Sequence, residues 1–398
     1  MKKQLLLLSL FFSHIAFPQV WHPIADFPAT ERDDGLSFVI GNKAYCGTGG
    51  EPGFVYASDF YAMNMSNDSW SSIAALPTGN QRQYSSGFSN AGFGFIAGGL
   101  GSGYLNDVWM YDTLSNSWSS KTALPAAGRM GCASFVINGI AYIVGGRTAA
   151  SLSINEVWAY DMTSDTWQRK NDLPFGSRWR AAATALGNKG YLTFGVDEHN
   201  RFCNELYEYD PVGDSWTQIS TFPDRGRSYA AMKAVAGDLV LVAGLDTLNT
   251  YYNDMWRYTI ITSAWQQLGS IPAQGRKGGM CFTNGTALYY TTGIDQTNTR
   301  LKQSWKVENP TGITEYGNAE RISAFPNPAK DILTIALDES NHAPVILEIM
   351  DETGKIIRQE KTTDAVVQLD VAPLTNGLYL IRISTGNRHY YSKVAVCH

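Results

Sequence analysis

The sequence predicts an all-β protein: a closed ring of six four-stranded sheets, a six-bladed β-propeller, followed by a small antiparallel β-sandwich. Three observations predict it. One pattern of about 49 residues recurs six times between residues 20 and 308. The segments inside each copy are short, apolar and bounded by turn residues, as strands covered on both faces are. Beyond residue 308 the period stops, and a new series of short strand candidates begins.

Each copy opens on a tryptophan: Trp21, Trp70, Trp118, Trp167, Trp216 and Trp265. Seven residues later stands a proline, and four or five residues after that an arginine: Arg32, Arg82, Arg129, Arg178, Arg227 and Arg276. A glycine closes the second strand 28 or 29 residues after the tryptophan, at Gly50, Gly99, Gly146, Gly195, Gly244 and Gly293, the first three written as Gly-Gly pairs. Within a copy, Ala133–Asn138 and Ala141–Val144 read as strands, and Asn138-Gly139 between them as a tight hairpin turn. Glycine at a strand end permits a positive φ and close backbone approach. The tryptophan offers a large plate to pack between sheets. One such unit cannot cover both of its own apolar faces, so the units must stack, and closing the stack into a ring removes the exposed edges. The sixth copy stops after its third strand, near Lys302–Val307, and the first tryptophan has no strands before it. Val20–Ala25 is therefore expected to supply the fourth strand of the last blade and lock the ring.

The double glycine, the Tyr-Asp of Tyr111-Asp112 and Tyr160-Asp161, and the tryptophan about six residues later resemble the kelch repeat. Repeats of that family run at a period near 50 residues. The resemblance spans residues 20–308 and implies a kelch β-propeller. The fourth, fifth and sixth copies lack the first glycine of the pair, and the sixth lacks Tyr-Asp.

Residues 1–19 read as a signal peptide: Lys2 and Lys3, an apolar run from Leu5 to Phe12 broken only by Ser9, then the small residue Ala16. The run is too short to span a membrane. A formal net charge of −5 argues against a nucleic-acid partner, because phosphate neutralisation needs a basic surface. The cysteines Cys46, Cys132, Cys203, Cys281 and Cys397 show no metal-binding spacing and read mainly as small buried apolar residues.

Residues 309–320 read as a polar linker, and 321–398 as an antiparallel β-sandwich. Its landmarks are Phe325-Pro326-Asn327-Pro328, Asp351-Glu352-Thr353-Gly354-Lys355, Leu374 with Gly377 and Tyr379, and Lys393. In their order they resemble the type IX secretion sorting domain of Bacteroidetes. That resemblance implies the type IX secretion machinery as a partner, and a destination outside the cell or on the outer-membrane surface.

Strands in a blade alternate direction, so the arginine before the first strand and the glycine after the second share one rim. The six arginines Arg32, Arg82, Arg129, Arg178, Arg227 and Arg276 either form an anion-binding funnel there or each fix their own loop by bonding a carbonyl or an acid. Residues that break the repeat are further candidates: Gln81, Gln83 and Tyr84; Trp179 and Arg180; Arg225 and Tyr229. The fourth copy has Gly195-Val196 in place of Gly-Gly and continues Asp197-Glu198-His199-Asn200-Arg201, where Glu198 with His199 is the candidate acid/base pair. Asn106-Asp107 and Asn253-Asp254 read as turn residues. Trp109, Trp158, Trp256 and Trp305 occupy one repeat position and read as core. No cofactor motif and no metal-ligand spacing is present.

These residues support a monomeric, non-catalytic recognition module that binds an extracellular protein or glycan, an acidic one in particular. The alternative is a sugar-ring isomerase or mutarotase similar to the secreted bacterial N-acetylneuraminate epimerase, a six-bladed kelch protein for whose carboxylated substrate an arginine-lined mouth is apt.

Overall fold

The computed structural model describes residues 20–310, 323–336, 345–351, 356–364, 366–385 and 388–398. Residues 1–19, most of the expected linker, and Glu352–Lys355 of the sorting-domain landmarks lie outside them. The chain divides into two compact units, with the division between residues 314 and 315.

The first unit holds six four-stranded antiparallel sheets. Blade 1 runs from Leu36 to Ile73, blade 2 from Ser86 to Lys121, blade 3 from Ala133 to Arg169, blade 4 from Ala182 to Thr221 and blade 5 from Ala231 to Ser270. Blade 6 takes Met280–Thr283, Ala287–Thr291 and Ser304–Glu308 in order, and its outer strand is Trp21–Ile24. Trp21 faces Val307 and Pro23 faces Trp305 across that last pairing. The ring thus closes as the repeat arithmetic requires.

Six apolar layers fill the six gaps between blades. Phe38, Tyr45 and Phe60 of blade 1 meet Ile96 and Tyr111 of blade 2, and Met63 and Phe27 meet Phe282 and Tyr289 of blade 6. The repeated tryptophan packs against such a layer, and in the second, third, fourth and sixth copies its indole N–H reaches back to the preceding blade. Trp70 donates to the carbonyl of Ala25, Trp118 to Ala74 and Trp167 to Thr122, at 2.8–2.9 Å. The Tyr-Asp tyrosine donates to the residue five positions on, as Tyr111 does to Asn116 and Tyr209 to Asp214. Hence the tryptophan ties one blade to the one before it, and the tyrosine closes the turn within its own blade.

The glycine signature is a backbone requirement. Gly49, Gly99, Gly146, Gly195, Gly244 and Gly293 have φ between +85° and +108°, a region only glycine enters freely. The N–H of Gly146 donates to the carbonyl of Arg178 in the next blade at 2.8 Å, and Gly195 does the same to Arg227. The position before it is also left-handed, and Thr48, Phe194, Ala243 and Thr292 hold it without being glycine. In blade 1 the structural pair is therefore Thr48-Gly49, one residue earlier than the Gly49-Gly50 dipeptide suggests. Asn138 (φ +50°) and Gly139 (φ +79°) make the expected tight hairpin.

Cys46, Cys203 and Cys281 are buried, Cys397 is exposed, and all five cysteines are free thiols. Cys46 sits in the layer between blades 6 and 1, whereas Cys281 faces the layer between blades 5 and 6.

The second unit pairs Ser323–Phe325, Ile332–Ala336 and Val366–Asp370 in one sheet, and Ile356–Thr362, Val345–Met350, Gly377–Thr385 and Arg388–Val396 in another. Leu333, Ile335, Leu347, Leu369, Ile381 and Val396 form its core. The C-terminal His398 is tied down: its N–H donates to Asn376, and its ring Nε2 bonds the Leu374 carbonyl at 2.7 Å.

Candidate functional site

The six repeat arginines are interior. Arg32, Arg82, Arg129, Arg178, Arg227 and Arg276 are 0–2% exposed. Each sits beneath its own blade in a repeated cage. Nε of Arg32, Arg82, Arg129 and Arg276 donates to the carbonyl two residues back. Nη1 of Arg32, Arg82, Arg227 and Arg276 donates to the carbonyl sixteen residues on. An acid at or just before the third strand completes the cage: Asp59 for Arg32 (2.5 Å), Asp107 for Arg82 (2.7 Å), Glu156 for Arg129 (2.8 Å), Glu205 for Arg178 (3.6 Å) and Asp254 for Arg227 (2.6 Å). In blade 6 the neutral Gln303 takes the place of the acid, 3.0 Å from Arg276.

The same acids accept from the indole N–H of Trp109, Trp158 and Trp256, which are half-buried beside the cage, Trp109 and Trp256 also packing against the apolar layers as Trp305 does. Asp107 and Asp254 are therefore ion-pair partners, not turn residues. Asn106 and Asn253 bond two carbonyls of the loop that leads to the next blade. Of the two readings open for the arginines, this geometry matches the one in which each fixes its own loop.

Two residues beyond each arginine lies a position the repeat leaves variable: Asp34, Tyr84, Gly131, Arg180, Tyr229 and Gly278. All six are left-handed, with φ of +55° to +65°. Their backbones run around the axis: Tyr84 N–H donates to Asp34, Gly131 to Tyr84, Arg180 to Gly131, Tyr229 to Arg180 and Asp34 to Gly278, at 2.7–3.3 Å. The ring surrounds a cavity of about 180 Å³ at the mouth of the central channel.

Two of the ring's other side chains, Tyr84 and Tyr229, together with the adjacent Trp179, converge on Arg180. Its guanidinium carbon lies 3.6 Å from the Tyr229 ring centre, 4.6 Å from Tyr84 and 3.9 Å from Trp179. Arg180 makes no ion pair among the described residues, and its Nε is buried without a hydrogen-bond partner. Burial pulls its pKa down from the ordinary value. Arg147 approaches the Trp179 ring at 5.4 Å, and its Nε is likewise buried and unbonded. Lys277 sits 4.8 Å from the Tyr229 ring and 5.3 Å from Tyr251. Asp34 is the acid of the ring. Burial first, and the neighbouring Asp33 charge second, push its carboxyl well above its usual range, and it contacts the Tyr84 hydroxyl. Asp33 is itself satisfied by Arg300 at 2.7 Å.

The mouth therefore combines unpaired cations, aromatic faces and one carboxyl that resists ionisation. Such a site can hold a carboxylate and stack an apolar or sugar face beside it.

Glu198 and His199 lie elsewhere. Neither lines the cavity. His199 is 82% exposed on its side chain, 3.8 Å from Glu198. The Glu198 carboxylate accepts from the Ser177 hydroxyl and N–H, which pull its pKa down to about 2. A carboxylate so held is a poor proton carrier near neutrality. Their loop is not unique either. Asp197, Asp246 and Asp295 each cap an equivalent turn by accepting two backbone N–H groups, with Asn200, Asn249 and Asn298 left-handed three residues on. The recurrence D-x-x-N every 49 residues was available in the sequence and marks the turn, though not its variable residues Glu198 and His199, as part of the repeat.

Trp179, Arg180, Tyr84 and Tyr229 of the sequence candidates do gather at the mouth. Gln81 and Arg225 do not line its cavity. Asp34, Arg147 and Lys277 were not anticipated. Asp34 could have been found by aligning the six copies on their arginine and reading the column two places on, where invariance gives way to Asp, Tyr, Gly, Arg, Tyr, Gly. Among the described residues, no group of three His, Cys, Asp or Glu side chains is placed to hold a metal ion.

Among known families, the one described as KLHDC2/KLHL20/DRC7 Kelch-repeats domain matches residues 120–293, and the Kelch motif matches residues 95–125. The Secretion system C-terminal sorting domain matches residues 323–397. No curated protein matches the chain. Of solved structures, the one titled "Structure of YjhT" superposes with a TM-score of 0.62, covering 71% of this chain and 95% of that one at 18% identity. Likeness at that identity is likeness of fold.

Proposed function

The chain carries kelch repeats in a β-propeller and ends in a secretion-system C-terminal sorting domain, and from that premise we propose that it is an exported recognition module whose channel mouth binds a carboxylate-bearing extracellular ligand, a glycan or an acidic peptide. Residues 1–19 act as the export signal and residues 321–398 as the segment the type IX machinery reads, with the propeller as the delivered cargo.

One observation carries the ligand class. Arg180 is stacked on aromatic faces in a cavity, with a buried Nε that no protein atom satisfies. Leaving a buried donor unpaired costs roughly 1–3 kcal/mol, more for a charged group, and an incoming carboxylate would recover that cost while pairing the charge. Arg147 and Lys277 give the mouth a further positive bias, and Trp179 and Tyr251 offer stacking surfaces. The test is a glycan and peptide array probed with the purified chain. Acidic ligands should be retained and their neutral analogues not, and Arg180→Ala should abolish retention. Equal binding of neutral analogues, or retention by the variant, would discard the reading.

Asp34 favours a second reading. A carboxyl whose pKa burial raises in the same cavity, beside the Tyr84 hydroxyl, is a candidate proton donor next to the anchoring cations. Ring opening of an acidic sugar needs such a donor. Acceleration of sialic-acid anomerisation followed by NMR, lost in Asp34→Asn, would select this reading over simple recognition.

A further inference from the structure

The inner strands line a second cavity, of about 250 Å³, in the channel below the mouth. At the sixth residue after the repeat arginine, four blades place a phenylalanine: Phe38, Phe88, Phe135 and Phe282. Each stacks on the aromatic ring opposite it on the second strand, Tyr45, Phe95, Tyr142 and Tyr289, at centroid separations of 5.2–5.6 Å. Two adjacent blades break the rule. Blade 4 has Thr184 there and blade 5 has Lys233, which faces Val240. Both line the cavity.

Lys233 has no ion pair and no hydrogen bond among the described residues. The ionisable groups that bear on it are the thiols of Cys46 and Cys281. Burial pushes the Cys281 thiol up to about 12 and raises that of Cys46 as well, so neither supplies a negative charge at neutral pH. Thr184 Oγ1 accepts from the N–H of Ala234 at 3.3 Å, next in chain to Lys233, which leaves its own O–H to donate. The wall near the ammonium is thus donor-rich and carries no carboxylate: an ammonium and a hydroxyl stand where the other blades present stacked rings. A cation partly withdrawn from water in the absence of a counter-charge is unfavourable unless a mobile anion joins it. An ammonium is a compact point charge that needs no forked oxyanion opposite it, so a monatomic anion fits it.

We propose that the channel holds a halide ion at Lys233 and Thr184. The site lies four residues along the inner strand from Arg180 and Tyr229, a separation of roughly 13 Å at strand rise, and is independent of the mouth. Bromide serves as the probe. Crystals of the full chain grown or soaked in bromide should show an anomalous peak within hydrogen-bonding distance of Lys233 Nζ, absent from Lys233→Phe, while any peak at Arg180 persists. Phenylalanine is the residue four blades already carry, so this variant should fold; Lys233→Met provides the same charge removal if it does not. In solution, the excess line broadening of chloride in 35Cl NMR should fall in either variant, and fall partly in Thr184→Val. No peak at Lys233, a peak that survives Lys233→Phe, or broadening unchanged in Lys233→Met overturns the proposal.

Discussion

Tyr229 lies with its ring centre 3.6 Å from the guanidinium carbon of Arg180, the shortest of the cation contacts at the channel mouth. A desolvated contact of this kind is worth about 2 kcal/mol. Tyr229→Ala should therefore weaken binding of an acidic ligand by roughly tenfold to thirtyfold, and Tyr229→Phe should leave it nearly unchanged, because the ring face and not the hydroxyl makes the contact. Isothermal titration calorimetry on both variants checks this. Equal losses in the two would point to the hydroxyl instead.

The caged arginines behave differently. Arg227 forks onto Asp254, with Nη1 at 2.6 Å and Nη2 at 2.7 Å, and Asp254 also accepts from Trp256. Removing one partner of a buried pair costs about 3–5 kcal/mol because the other is left uncompensated. Arg227→Ala should lower the urea midpoint sharply. Ligand affinity of the remaining folded fraction should stay as it was. A variant of unchanged stability that has lost binding would return this arginine to the mouth.

Blade 6 lacks the acid that five other blades supply. Arg276 is held by the amide of Gln303, and burial lowers its pKa. Gln303→Asp should restore the pattern of Asp59, Asp107 and Asp254 and raise stability by about 1 kcal/mol, the margin between a neutral and a charge-assisted hydrogen bond. Thermal unfolding at neutral pH measures it, and a fall in Tm would show that the wider pocket around Gln303 cannot accept the shorter side chain.

Asp34 sets a pH dependence of defined sign. Its folded-state pKa is raised above the ordinary 3.8 by burial and then by Asp33. The folded state accordingly favours the protonated form, and stability falls as pH rises from 3.8 through the folded value. Asp34→Asn, always neutral, should be more stable than the parent at pH 7, and the two should converge below about pH 3.8. Unfolding curves across that range decide it. A variant less stable at pH 7 would mean that the ionised carboxylate is what Arg180 and Tyr84 require.

Architecture was legible because it rests on offsets. Trp21 through Trp265 report where the outer strands begin, and the missing fourth strand of the last copy forces Trp21–Ile24 into blade 6. The one slip in the glycine pattern has a physical source: Thr48 adopts a left-handed φ that the eye assigns to glycine, so the pair in blade 1 appeared one residue late. The site was harder to read. The arginines drew notice because they recur, but recurrence in a ring marks what every blade needs, which is a cage for its own loop. Arg180 and Asp34 differ from blade to blade, and nothing in local pattern says that positions about 150 residues apart in sequence share a cavity. The loop of Glu198 and His199 is likewise part of the repeat in its backbone, as Asp246 and Asp295 show, and what singles it out is only the pair of side chains it carries.

Placing Trp21–Ile24 against Ser304–Glu308 has a consequence for the order of events during synthesis. The first strand of the ring can find its mate only when nearly three hundred further residues have followed it out. Until then the first blade and whichever blade was made last each present an apolar flank to solvent, and the nascent chain has no finished surface. Completion is therefore a late, single step, with the slow search that long sequence separation imposes.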